Sequence, residues 1–232
     1  MIRAVLFDLD DTLYPEREYF ESGFAVVAER LEERGAGEAG AIGRLLEAIH
    51  FEEGREGVFD KAAARLGYPR EWVPELVALF RDHTPRISLP AESAEVLRCL
   101  RLQYRLGIVT DGHASVQHGK IEALGLRPLV DAIIVTDELG RRHWKPHPLP
   151  FLTCCRALHV QPDQAIFVGD HPQRDIGGAH GAGLRAVRLR RKDGYFRNQA
   201  DAAGEQAECD IEQLERLPTA LAHLKQTGER VP

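Results

Sequence analysis

The chain of 232 residues is poor in cysteine, in lysine and in long apolar runs. Its four cysteines are Cys99, Cys154, Cys155 and Cys209, with no C-x-x-C pair among them. That spacing excludes structural zinc and reads as four reduced thiols in a reducing compartment. No apolar run approaches the ~20 residues that span a bilayer. The opening MIRAVLFDLDD turns acidic after a short apolar stretch. It therefore lacks the apolar region of ~7–15 residues found in a secretory leader. The expectation is a mature cytoplasmic protein without a membrane partner. Only five residues are lysine, and the formal net charge is -6. A nucleic-acid partner is not expected from such a balance. The one basic cluster, LRAVRLRRKDG, reads as a solvated face at a strand end. Nothing in the composition specifies an oligomeric state.

What is present is an ordinary globular composition, 44% hydrophobic and 28% charged. The length suits one large domain, or one domain carrying a smaller insert. Five short runs rich in Val, Ile, Leu or Phe read as strands: Ala4–Phe7, Leu106–Val109, Ala132–Val135, Ala165–Val168 and Ala186–Leu189. They are continuous rather than alternating, so both faces should be covered. Stretches of helical pattern separate the last four: Val116–Leu124, Pro148–Leu158 and Asp175–Ala182. That βαβα run predicts a Rossmann-like α/β fold with a parallel sheet and right-handed crossovers. Between the first two strands, residues 16–82 carry apolar residues at helical spacing, broken by Gly-rich turns. The expected organisation is a core of residues 1–14 and 89–232 with an inserted helical cap of residues 15–88. The cap should fold as a small bundle over the first strand's C-terminal end. After Asp210, a strand remnant and a helix are expected.

The chemistry gathers where strands end. The first strand runs into Asp8-Leu9-Asp10-Asp11-Thr12, the second into Thr110-Asp111-Gly112, and the fourth into Gly169-Asp170 with Asp175 beyond. Open parallel sheets bind ligands at the carboxyl ends of their strands. Three polar clusters should therefore meet at one edge. Asp8, Asp10 and Asp170 offer hard oxygen ligands, for which Mg²⁺ is the natural counter-ion. N-capping explains Asp11 or Asp175 singly, but not acidic clusters after two strands. A hydroxyl, free N–H groups and a helix N-terminus around Thr110, Asp111 and Gly112 suit an anion. Lys145, in HWKPHP, is stiffened by Pro146 and Pro148 and would place an ammonium beside them.

These residues resemble the four motifs of the haloacid dehalogenase (HAD) superfamily. FDLDDTL is similar to its DxDxT motif, Val109–Gly112 to the second, Lys145 in WKPHP to the third, and Gly169-Asp170 with Asp175 to GDxxxxD. Order and spacing agree from Ile2 to about Leu189. The helical insertion, with GKIEALGL and DELGRRHWKP, resembles the phosphatase-like branch whose cap lies between motifs one and two. The resemblance implies a Mg²⁺-dependent phosphomonoester hydrolase. Asp8 would be the nucleophile and form an aspartyl-phosphate. Asp10 would protonate the leaving oxygen and then deprotonate water. The side chains of Asp8 and Asp170 and the backbone carbonyl of Asp10 would hold Mg²⁺. Thr110 and the N–H groups near Asp111 and Gly112 would hold phosphoryl oxygens. Lys145 would offset charge, and Asp175 would orient Lys145 or a metal-bound water. The dehalogenases proper lack an acid at the position of Asp10, so Asp10 implies phosphate chemistry. Asp11 stands where many members have glycine. A phosphomutase of the same family and a regulatory phosphoacceptor domain are the alternative readings.

Other candidates have structural readings. His143, His147 and His171 flank the motifs and read as loop histidines, although His171 could touch substrate or metal. His83, Arg81 and Arg86 lie near the return to the core. Tyr14, Tyr19, Phe20 and Phe24 read as helix core, with Tyr14 close enough to Asp10 to face the cleft. G-x-G-x-x-A at Gly181–Ala186 precedes a strand, which excludes a dinucleotide site. Residues 15–88 hold 15 acidic and 10 basic residues, a balance that disfavours large polyanions. The expected substrate is a small phosphorylated metabolite: a sugar phosphate, a nucleoside monophosphate or a phosphorylated carboxylic acid.

Overall fold

The computed structural model describes residues 1–201 and 206–227. In chain order, β1 (Ala4–Phe7) is followed by four helices: α1 (Glu16–Glu33), α2 (Ala39–Glu52), α3 (Val58–Leu66) and α4 (Val73–Asp82). Then come α5 (Ala91–Arg101), β2 (Arg105–Thr110), α6 (Ala114–Ala123), β3 (Ala132–Val135), α7 (Leu149–Ala157) and β4 (Ala165–Gly169). A π-helical turn (Pro172–Gly177), α8 (Gly178–Gly181), β5 (Arg185–Leu189), β6 (Cys209–Ile211) and α9 (Leu217–Thr227) complete the described chain. Two compact units result, one of residues 1–15 and 88–232, the other of residues 16–87.

The first unit is a six-stranded sheet of order β3-β2-β1-β4-β5-β6 in which every pair is parallel. β1 lies between β2 and β4, with Val5 opposite both Leu106 and Ile166. All four β1 residues are fully buried, as a continuous apolar run in a two-sided sheet requires. One core layer joins Ala4, Leu6, Val109 and Phe167 to Phe151 of α7 and Ala179 of α8. The strand order reverses direction at β1 and β4, and the crevice at such a switch point is where α/β sheets take ligands. The Asp8 and Asp170 clusters leave these two neighbouring strands on the same edge. In the second unit, Phe24, Val27 and Leu31 of α1 share a core with Ile42, Leu46 and Ile49 of α2 and Leu76 of α4. The spacings of three and four place each set on one helix face.

Two expectations are corrected. Residues 175–182 were expected to form one helix, but Asp175 sits in a π-helical turn and only Gly178–Gly181 are α-helical. A widened turn of this kind recurs at functional sites. The basic cluster around residue 190 is a solvated face only in part: Lys192 is exposed and Arg190 and Arg191 are half-buried. Arg188 is fully buried, and its guanidinium donates to the carbonyl oxygens of Asp170 and Phe196 and to the Asp201 carboxylate. Arg190 bonds Asp210 and Asp201, and Arg191 bonds the carbonyl of Thr12. A strand with both faces covered buries its charged residue too, and the guanidinium is then satisfied by backbone and carboxylate oxygens. All four cysteines are free thiols. Burial pushes Cys155 up to about 11 and raises Cys154 as well, so neither is a ready nucleophile.

Candidate active site

β1 ends at Phe7, and Asp8 N–H still donates to Val168 of β4 at 2.9 Å. Asp8 therefore remains tied to the sheet while its carboxylate leaves the last rung. The chain then coils sharply. Asp11 adopts φ 54°, a left-handed conformation that glycine, asparagine and aspartate tolerate best. Its carboxylate accepts from Tyr195 N–H at 3.2 Å. This gives the third carboxylate of FDLDDTL a purpose: it turns the loop and is capped by the 191–201 segment.

Lys145 is the hub of the cluster. Its Nζ donates to Asp8 Oδ1 at 2.5 Å, to Asp175 Oδ1 at 2.7 Å and to the Val109 carbonyl at 3.3 Å. Asp111 braces it from behind, its Oδ1 accepting from Lys145 N–H at 3.1 Å and from the Thr136 hydroxyl at 2.7 Å. The π-helical turn fixes Asp175. His171 Nδ1 accepts from the N–H groups of Gln173 and Arg174, and Asp175 Oδ2 accepts in return from His171 N–H at 3.0 Å. His171 is thus the cap of that turn, and burial lowers its pKa to about 4. Gly169 leaves the necessary space, since a Cβ there would lie 2.5 Å from Asp175 Oδ2. Gly169→Ala should push Asp175 away and loosen Lys145 with it. The expected outcome is a fall in turnover of about 10²-fold or more with the fold intact, read by steady-state kinetics beside circular dichroism.

Asp8, Asp170 and Asp175 present carboxylate oxygens within 4.8 Å of one another, all buried. Three carboxylates face one ammonium, leaving a formal excess of two negative charges. Burial raises Asp8 to about 8; Lys145 opposes the shift, while Asp175 and Asp10 reinforce it. Burial, with Asp175, Asp8 and Asp11 nearby, holds Asp170 well above the usual carboxylate range. Burial would lower Lys145, but Asp175 and Asp8 outweigh it and raise its pKa. Asp175 has both oxygens engaged, by Lys145 and by His171 N–H. Asp8 Oδ2 and the whole Asp170 carboxylate accept no hydrogen bond among the described residues. Hard oxygens, buried, partly unpartnered and in charge excess fit Mg²⁺, with Asp8 and Asp170 as the available side-chain ligands.

The Asp10 carboxylate faces a different environment. Its Oδ1 accepts from Lys120 Nζ and Tyr14 O–H, each at 2.7 Å, and its Oδ2 from Gln117 Nε2 at 3.0 Å. Burial would raise its pKa, but Lys120 together with these hydrogen bonds holds it below the usual range. Asp10's side chain is thus outside the acidic cluster; its expected contribution there was a backbone carbonyl. Thr110 Oγ1 lies 2.5 Å from Gln117 Nε2. Gly112, with φ +136°, has no Cβ to press on Gln117, which a side chain there would meet at 3.0 Å. Tyr14 is fully buried and reaches Asp10, rather than serving as helix core. His83 lies in the helical unit with Nδ1 on the Phe80 carbonyl at 2.6 Å. Gln117 and Lys120 carried no expectation. Their signal was two polar residues sharing a helix face with buried Ile121.

The family model for haloacid dehalogenase-like hydrolases matches residues 2–183. A glyceraldehyde 3-phosphate phosphatase from Methanopyrus kandleri is 35% identical over 82% of this chain and 85% of its own length. An N-acylneuraminate-9-phosphatase from Homo sapiens is 28% identical over 83% of this chain and 84% of its own. A HAD-hydrolase from Bacillus subtilis, whose structure is described as bound to magnesium, shares the fold. Its TM-score is 0.72 over 95% of this chain and 98% of that one, at 20% identity. A parallel α/β sheet that brings carboxylates, a threonine and a buried lysine to one edge, in a chain with such relatives, defines a hydrolase of phosphatase type. The chain belongs to the haloacid dehalogenase-like hydrolase family. No helix among the described residues is long and apolar enough to cross a membrane.

Proposed function

We propose that this enzyme hydrolyses a small sugar phosphate or related phosphorylated metabolite, with Mg²⁺, through an aspartyl-phosphate on Asp8. The observation that carries the reading is the split of the two DxD carboxylates. Asp8 lies with Asp170 and Asp175 against Lys145, while Asp10 lies apart among hydrogen-bond donors. The Asp8 carboxylate attacks phosphorus in line with the leaving oxygen. The P–O electron pair passes to that oxygen, which takes the proton from Asp10. In the second half-reaction Asp10 takes a proton from water as the water oxygen bonds phosphorus, and the Asp8 carboxylate departs. Thr110 and the N–H groups at Asp111 and Gly112 hold phosphoryl oxygens. Lys145 offsets the charge shared by Asp8 and the phosphoryl group, and Asp175 keeps Lys145 in place.

Mg²⁺ held by Asp8, Asp170 and the Asp10 carbonyl would supply the charge that lets one anion approach another. In the metal-free protein, Asp8 is the weaker acid of the DxD pair, opposite to the roles. A divalent cation held by Asp8 would favour its ionised form, the one that attacks. Asp10 favours phosphate over halide as the leaving chemistry, since a departing alkoxide needs a proton. The names of the relatives support small sugar phosphates: glyceraldehyde 3-phosphate, N-acylneuraminate 9-phosphate and ribulose 1,5-bisphosphate.

Phosphate release over a panel of those three compounds, nucleoside monophosphates and phosphorylated carboxylic acids, with Mg²⁺, tests the substrate class. A sugar phosphate should give a kcat/KM at or above the ~10⁴ M⁻¹s⁻¹ usual for enzymes. Equal and slow turnover of every compound would overturn it.

A further inference from the structure

Gln117 and Lys120 lie three residues apart on α6, so they share one face of the helix. Both are almost fully buried, at 1% and 3% exposure. Burying an amide and an ammonium is costly unless each finds partners. A buried ion pair adds little to stability beyond what an apolar pair of similar volume would give. Stability is therefore a weak reason for these two residues to be here.

Their partners suggest a better one. Lys120 and Tyr14 grip the same oxygen of Asp10, and Gln117 grips the other. An amide nitrogen carries two hydrogens, and the second hydrogen of Gln117 Nε2 serves Thr110 Oγ1. The Thr110 hydroxyl then spends a lone pair on Gln117 and keeps its own hydrogen to give to an anion. Residue 112, being glycine, leaves the space that the Gln117 side chain fills. One helix face thus joins the proton-transfer carboxyl to the hydroxyl expected at the phosphoryl group.

We propose that Lys120 and Gln117 are positioning residues of the reaction. Lys120, with Tyr14, fixes the Asp10 carboxyl and offsets the negative charge that develops on it as its proton passes to the leaving oxygen. Gln117 ties that carboxyl to Thr110 and aims the hydroxyl hydrogen at the phosphoryl group. In this step the Asp10 O–H bond and the P–O bond to the leaving oxygen break while the bond from the Asp8 carboxylate oxygen to phosphorus and the O–H bond of the leaving alcohol form. An ammonium 2.7 Å from the developing charge, away from water, counts for far more than one in solvent. The inference rests on the reading of Asp10 as the acid given above.

The test is the dependence on leaving group. Lys120→Met and, beside it, Asp10→Asn are assayed with an alkyl phosphate, whose leaving oxygen needs a proton, and with p-nitrophenyl phosphate, whose leaving phenolate does not. Lys120→Met should lower kcat on the alkyl phosphate by about 10²-fold or more, and on p-nitrophenyl phosphate by less than about tenfold. KM for the alkyl phosphate should move by less than about threefold. Gln117→Met should show the same bias, with a raised inhibition constant for inorganic phosphate. It carries the test if Lys120→Met does not fold. Equal losses on both substrates, or none, while Asp10→Asn keeps its bias, would overturn the inference and leave the reading standing. An unbiased Asp10→Asn would overturn both.

Discussion

Asp8→Asn lowers kcat by at least about 10⁴-fold, the scale seen when a covalent nucleophile is removed, while the protein melts no earlier than wild type. Asparagine fills the same space and can still accept from Lys145, so the geometry around Lys145 persists. What it lacks is an anionic oxygen to bond phosphorus. Stability moves the other way because Asp8 is held against its own preference. Burial, opposed by Lys145 and reinforced by Asp175, raises its carboxyl to about 8. A carboxyl with a higher pKa in the folded state stabilises the fold only while protonated. That contribution is complete below the ordinary value of 3.8 and is lost as pH rises through about 8. Asparagine does not ionise. In metal-free protein, the melting temperature of Asp8→Asn relative to wild type should therefore climb between pH 4 and pH 8. Thermal unfolding in a pH series, beside steady-state kinetics, checks both halves. Retained turnover would remove Asp8 from the mechanism, and a variant that melts earlier across the whole range would contradict the account of the site's electrostatics.

Stripping divalent metal should be nearly as severe. Asp8, Asp170 and Asp175 place three buried carboxylates beside a single lysine, and a phosphomonoester would bring further negative charge to them. Loss of the cation forfeits several kcal/mol of transition-state charge stabilisation, on the order of 10³-fold in rate or more. Activity should vanish on dialysis against EDTA and return with Mg²⁺. Binding should also be visible without catalysis. At about 100 times its Kd, a ligand specific for the folded state adds roughly 2.7 kcal/mol, which a melting curve resolves. Asp170→Asn should abolish that thermal response, because the Asp170 carboxylate accepts no hydrogen bond among the described residues and is open to the ion, while the Asp170 carbonyl keeps its bond from Arg188. Full activity after metal removal would sink the assignment. A melting response undiminished in Asp170→Asn would place the ion elsewhere.

The sheet and the convergence of motifs at its edge were legible because both arise from strong, local signals. Continuous apolar runs such as Ala4–Phe7 fold one way, and the acidic residues that end them have few structural uses. The site's inner support was less legible. Gln117 and Lys120 sit on a short helix whose polar residues would ordinarily face water, and only their shared face with Ile121 marked them as buried. Asp11 looked like a third acid, but its backbone twist decides its role, and φ is not written in residue type. Arg188 was misread for the opposite reason. It was grouped with its basic neighbours, although RAVRL lies in a strand covered on both faces, where alternation gives no exposed position. The π-helical turn at Pro172–Gly177 escaped because PQRDIG holds Ile176 as its one aliphatic side chain besides proline and so carries no periodicity to count. It brings Asp175 under His171 N–H, four residues back, and onto Lys145 Nζ, a partner from a distant part of the sequence, and that second contact is a tertiary demand rather than a local one.

The central claim is that phosphorus is handed to Asp8 and then to water in two displacements. The stereochemical course at phosphorus tests this most directly, using a thiophosphate monoester made chiral at phosphorus with two oxygen isotopes and hydrolysed in water labelled with the third. Each in-line displacement inverts the centre, so net retention is expected in the released thiophosphate. Net inversion would mean that water attacks the substrate in a single step, and would contradict it.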